Sequence, residues 1–144
     1  SNGGELVTNH GRTHYQNWGN EHHTISGTFT ATSSGKHLLQ VVYGNGSSTI
    51  DTGITAAVKW IILRSEGQIV SLGPLVMPQL GSWELWSDSS FHEFVAIDGQ
   101  SYSFEIRDGI NLSYFAHYVN YIGNGGGIEP SNFVNISTVK ILTR

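Results

Sequence analysis

The chain has 144 residues and no cysteine, with 7 basic and 11 acidic residues and a formal net charge of −4. One domain is the natural expectation at this length, and enough surface is buried on folding that no disulfide or metal staple is needed. The charge balance excludes a broad basic footprint for nucleic acid or an anionic membrane. The absence of cysteine excludes disulfide frameworks, cysteine-zinc sites and thiol catalysis. No apolar run approaches the roughly 18 residues a membrane helix requires.

Residues 1–23 form a polar N-terminal segment without a clear hydrophobic period. Ser1-Asn2-Gly3-Gly4 has the character of a domain boundary, and no targeting segment is visible. From Thr24 the pattern changes. Ile25, Gly27, Phe29 and Ala31 alternate with Ser26, Thr28, Thr30 and Thr32, which predicts a half-buried strand. After the turn Ser33–Lys36, His37–Tyr43 reads as a second strand with Leu39, Val41 and Tyr43 on one face, closed by the loop Gly44–Ser48. Ala56–Leu63 is apolar apart from Lys59 and reads as a central strand covered on both faces, with Trp60 in the core.

Gln68–Leu72 is a further short strand. Pro74 and Pro78 around Leu75–Met77 suit a sheet edge or crossing. Trp83–Trp86 reads as extended, which puts its two indoles on opposite faces. Phe91–Ile97, Tyr102–Arg107 and Val134–Leu142 complete the strands. No amphipathic, capped helix is present. Residues 111–132 fit no strand and form a long loop carrying Tyr114, Phe115, His117, Tyr118, Tyr121 and a glycine run around Asn124. Long ordered loops are more often functional than neutral. The pattern predicts an all-β, two-sheet antiparallel β-sandwich of jelly-roll type over residues 1–144.

Several segments resemble a known family. Ser34–Gly46 is similar to the "G-x-Y-x-L-x-V-x-Y-x-N" strand and loop of β-sandwich carbohydrate-binding modules. Gly81-Ser82-Trp83-Glu84-Leu85-Trp86 is similar to their "G-S/G-W-x-x-W" motif. Phe94–Ile106 is similar to the hairpin that follows, and Asn135–Ile141 to the closing "N-L-D-x-I-x-I" strand. The order of these motifs resembles the galactose-binding-like superfamily, nearest to carbohydrate-binding families six and thirty-five. Leu38 replaces the motif tyrosine and Ser137 the motif aspartate. The resemblance implies a non-catalytic module that binds oligo- or polysaccharide and is covalently linked to an extracellular glycan-active enzyme. It also implies a structural calcium near acidic N-terminal positions, for which Glu5 and Glu21 are available.

Sugar rings present a C–H face that stacks on an aromatic ring and a belt of hydroxyls that pair with amides. Trp83 is the expected platform, against the alternative that both Trp83 and Trp86 are core. Asn135 matches the family's ligand-binding asparagine, against an Asx turn. Tyr114, His117, Tyr118, Tyr121 and Asn124 of the long loop are further candidates, against a self-packed loop core. Trp18, in the polar stretch Tyr15–Asn20, either covers the sandwich end or flanks a site.

His10 and His14 are four apart, but no helix or HExxH pattern surrounds them. The carboxylates are scattered, with no pair of the kind a glycosidase requires. Two other functions stand beside the binding module. One is a small polysaccharide lyase using His117 and Tyr121; the other is an accessory sandwich without ligand.

Overall fold

The computed structural model describes residues 2–19, 22–46, 56–108 and 134–143. Among these are ten strands and no helix: β1 (Glu5–Asn9), β2 (Arg12–Gln16), β3 (Thr24–Thr30), β4 (Gly35–Gly44), β5 (Ala56–Ser65), β6 (Gln68–Pro78), β7 (Ser87–Asp88), β8 (His92–Ala96), β9 (Ser101–Asp108) and β10 (Asn135–Thr143). Every pairing is antiparallel. One sheet runs β1-β2-β10-β4-β7, with β8 also paired to β4, and the other runs β3-β9-β5-β6. The architecture is the two-sheet sandwich expected from the alternating sequence.

Alternation decides which face of each strand is buried. Ile25 and Phe29 of β3, Leu39, Val41 and Tyr43 of β4, Ile61 and Leu63 of β5, Leu75 and Met77 of β6, and Ile106 of β9 meet between the sheets. Each such side chain contributes roughly 1.5–3 kcal/mol by leaving water. Aromatic rings close one end: Phe29 stacks on Tyr102 at 5.4 Å, and its edge meets Phe94 at 5.9 Å. Tyr43 spans the layers, its hydroxyl donating to the Pro78 carbonyl at 2.7 Å. Burial pushes that phenol up to about 12.

Four expectations are corrected. Residues 1–23 are not without regular structure, because they contain the β1–β2 hairpin. Asn9 pairs with Arg12 across a two-residue turn in which His10 and Gly11 both take positive φ, 52° and 84°. That is the sign pattern of the hairpin turn matching strand twist. Gln68–Leu72 and the proline segment are one continuous strand, β6, on the edge of its sheet, where a missing N–H is tolerated.

The third correction concerns β5, which is not covered on both faces. Its inward row is Ala57, Lys59, Ile61 and Leu63, each with no exposed surface, while Trp60 faces outward and is 37% exposed. Trp60 is therefore not core. The fourth concerns Trp83–Trp86, which is a turn rather than an extended segment. Gly81 takes positive φ, and the Glu84 amide donates to Ser82 Oγ at 3.1 Å. The two indoles are both half-buried and are not separated onto opposite faces of a strand.

Candidate functional site

The candidate site lies where the end of β2, the second strand of the N-terminal hairpin, meets the start of β10. β2 ends at Gln16, and Asn17, at φ 53°, reverses the chain. Trp18 then turns into the sandwich and is wholly buried. Its carbonyl accepts the Val134 amide at 3.1 Å, which fixes the start of β10 beside the end of β2. Val134 and Asn135 thus stand next to Gln16 and Asn17.

The 81–86 turn supplies the remaining wall. Gly46 allows it to approach: a Cβ there would lie 2.7 Å from the Trp83 amide nitrogen and 3.1 Å from its Cδ1. Trp86 anchors the turn to the hairpin tip, its Nε1 donating to the His10 carbonyl at 2.9 Å. Below it lies the buried His14 ring, at 5.0 Å between centroids, and the Arg12 guanidinium is 5.9 Å from the indole centroid. His14 Nδ1 donates to the Arg12 carbonyl at 3.0 Å, so the imidazole carries its proton there. Glu84 stands beside His10, with 3.8 Å between Oε1 and Nδ1.

The result is a cleft of about 250 Å³ lined by His10, Gln16, Asn17, Trp83, Val134 and Asn135. One indole, three amide side chains and one imidazole give a stacking ring and paired donors and acceptors. None of these described lining residues is a carboxylate. A larger and more open depression of about 460 Å³, lined by Tyr15, Arg12 and the hydroxyls of Thr13, Ser137 and Thr138, lacks an indole platform.

The structure brings together two of the sequence candidates, Trp83 and Asn135. It separates Trp18 from them. Its side chain is wholly buried in the core and does not line the cleft. Tyr114, His117, Tyr118, Tyr121 and Asn124 lie outside the described residues. His10, Gln16 and Asn17 were missed as cleft residues. The signal available for Gln16 and Asn17 was the polar stretch Tyr15–Asn20 around Trp18, for which flanking a site was one of two alternatives.

The calcium expectation meets a poor ligand set. No three His, Asp or Glu side chains cluster among the described residues. The Glu5 carboxylate accepts Gln16 Nε2 at 3.1 Å, and Glu21 lies outside the described residues. Ser137, at the motif aspartate position, donates to the Thr13 carbonyl at 2.9 Å and accepts from Arg12 Nε at 3.0 Å. A guanidinium thus faces the position where the motif would supply a carboxylate, and the described residues do not fit a calcium ion.

No family model and no curated protein sequence matches the chain. Solved structures do. The chain is similar to the family 35 carbohydrate-binding module Xyl-CBM35, solved with a glucuronic-acid-containing disaccharide (TM-score 0.64, 16% identity, covering 97% of this chain and 83% of that one). It is also similar to a family 35 module from an environmental isolate (TM-score 0.63, 15% identity, covering 100% and 85%). A third similarity is to a Paenibacillus cycloisomaltooligosaccharide glucanotransferase complexed with cycloisomaltoheptaose (TM-score 0.60, 14% identity). There the match covers 97% of this chain but spans only 16% of the enzyme's length. The protein therefore has the β-sandwich fold of the family 35 carbohydrate-binding modules.

Proposed function

We propose that the protein is a carbohydrate-binding module that holds a saccharide in the Trp83–Asn135 cleft without transforming it. The observation that carries this reading is the composition of the cleft wall. An indole with Asn17, Gln16, Asn135 and His10 around it suits a ring that is apolar on its face and hydroxylated at its rim. Trp83 is the stacking platform. Asn135 and Asn17 pair with hydroxyls, each amide donating and accepting. Binding on so small a preformed surface is weak, because the cost of immobilising the ligand consumes most of the contact energy.

The module is a secreted part of a larger glycan-active enzyme, concentrating its catalytic partner on polysaccharide. The short span of the glucanotransferase match supports that arrangement. A glycan array read beside an affinity gel tests binding. Retention of wild type and loss of retention by Trp83→Ala are expected.

A second reading is an accessory sandwich that packs on a neighbouring domain. It is favoured by the apolar outer strip of Trp60, Leu72, Ile69 and Val70 on β5 and β6. Under it no glycan on the array is retained.

A further inference from the structure

Lys59 projects from β5 into the core, in the same inward row as Ala57, Ile61 and Leu63, and has no exposed surface. Removing an ammonium from water costs several kcal/mol unless it is well paired, so packing alone would favour leucine or methionine at this position. Two contacts of the amine lie in the segment that follows β2. Nζ donates to the Gly19 carbonyl at 2.6 Å and lies 5.1 Å from the centroid of the Trp18 indole. Trp18 and Gly19 continue directly from Gln16 and Asn17, and the Trp18 carbonyl holds the Val134 amide next to Asn135. Gly19 is further fixed by its amide, which donates to His23 Nδ1 at 3.0 Å. Both the β2 wall and the β10 wall of the cleft are therefore rooted in a turn that is tied, through one side chain, to the opposite sheet.

We propose that Lys59 is a positioning residue for saccharide binding: its buried ammonium fixes the 17–19 turn and so holds Asn17 and Asn135 at the spacing the ligand requires. This rests on the binding reading above. Lys59 does not touch the saccharide. It acts by keeping the cleft in its bound shape in the free protein, which lowers the cost of association.

The test uses Lys59→Met, which keeps the unbranched stem to within one atom and removes the charge and the donor. It is compared with Phe94→Leu, which thins the core at the opposite end of β4 from Gly44 and Asn135. Each protein is titrated with cycloisomaltoheptaose and with a glucuronic-acid-containing disaccharide, and amide hydrogen exchange is followed at Val134. Lys59→Met is expected to bind about tenfold more weakly, the size of one lost charge-assisted hydrogen bond, and to exchange the Val134 amide roughly tenfold faster. Phe94→Leu lowers the melting temperature with less than about a twofold change in either. Unchanged affinity and unchanged Val134 exchange in folded Lys59→Met overturn the proposal, as does an equal loss of affinity in Phe94→Leu.

If Lys59→Met does not fold, wild type decides. Coupling is reciprocal, so saccharide must slow solvent exchange of the Lys59 ammonium protons, read by nitrogen-resolved NMR; unchanged exchange at saturation overturns the proposal. If wild type binds neither of these, the titrations use the saccharide best retained on the array, and if none is retained the binding reading fails by itself. Positioning is then judged by Val134 exchange in Lys59→Met, or, should that variant not fold, by the wild-type ammonium protons, whose fast exchange overturns it.

Discussion

Trp86 and His10 are joined by a single hydrogen bond of 2.9 Å from the indole nitrogen to the backbone carbonyl, and this bond ties the 81–86 turn to the tip of the β1–β2 hairpin. Trp83 of the turn and His10 of the hairpin tip line the same cleft. Trp86→Phe keeps most of the apolar contact with His14 and removes the donor and most of the attraction to Arg12. It is expected to cost about 1–2 kcal/mol in chemical denaturation and to weaken glycan retention. Stability equal to wild type would show that the hairpin tip is held by other contacts.

Acid should loosen the seam between the two sheets. His92 of β8 and Ser71 of β6 share a 2.6 Å hydrogen bond, and Gly73 makes room for the ring, since a Cβ there would lie 2.7 Å from His92 Nδ1. Burial holds this imidazole below its ordinary 6.5, because desolvation penalises the charged form. The unfolded chain therefore takes up the proton first as pH falls. The stability this group contributes is complete above about 6.5 and declines as pH drops from there toward the lowered native value. Melting curves from pH 8 to 5 should show that decline, and His92→Gln should flatten it. Parallel wild-type and variant curves would rule it out.

Arg12 supplies a second cross-strand tie. It spans β2 and β10 by donating to Ser137 at 3.0 Å and Thr138 at 3.4 Å, beside the register shift between Ile136 and Thr138. Arg12→Met is expected to cost about 1 kcal/mol, while EDTA leaves the wild-type melting temperature unchanged. A fall on chelation that calcium restores would place a cation in the protein that the described side chains do not explain.

Much of this architecture was legible in the residues, and the failures have physical causes. β3, β4 and β9 alternate in sequence because one face of each is buried, whereas β10 is interrupted by its register shift between Ile136 and Thr138. The β1–β2 hairpin was not legible because it forms a sheet edge and buries little: every residue of β1 but Val7 is exposed, so no hydrophobic period marks it. Trp60 was not legible, because an apolar run broken only by Lys59 reads as a strand covered on both faces. The structure instead buries the row that carries Lys59, whose amine meets Gly19 and Trp18, and leaves Trp60 facing outward. Trp83 and Asn135 could be picked from motif position. Their neighbours Gln16 and Asn17 could not, because only the fold brings the end of β2 beside the start of β10.

Calorimetric titration of wild type, Trp83→Ala and Asn135→Ala with the best-retained array saccharide tests the binding cleft most directly. Wild type should bind saturably and weakly, with Trp83→Ala reduced at least about tenfold, or roughly 1.4 kcal/mol, and Asn135→Ala by a smaller factor. Undiminished binding by Trp83→Ala would place the saccharide elsewhere on the molecule.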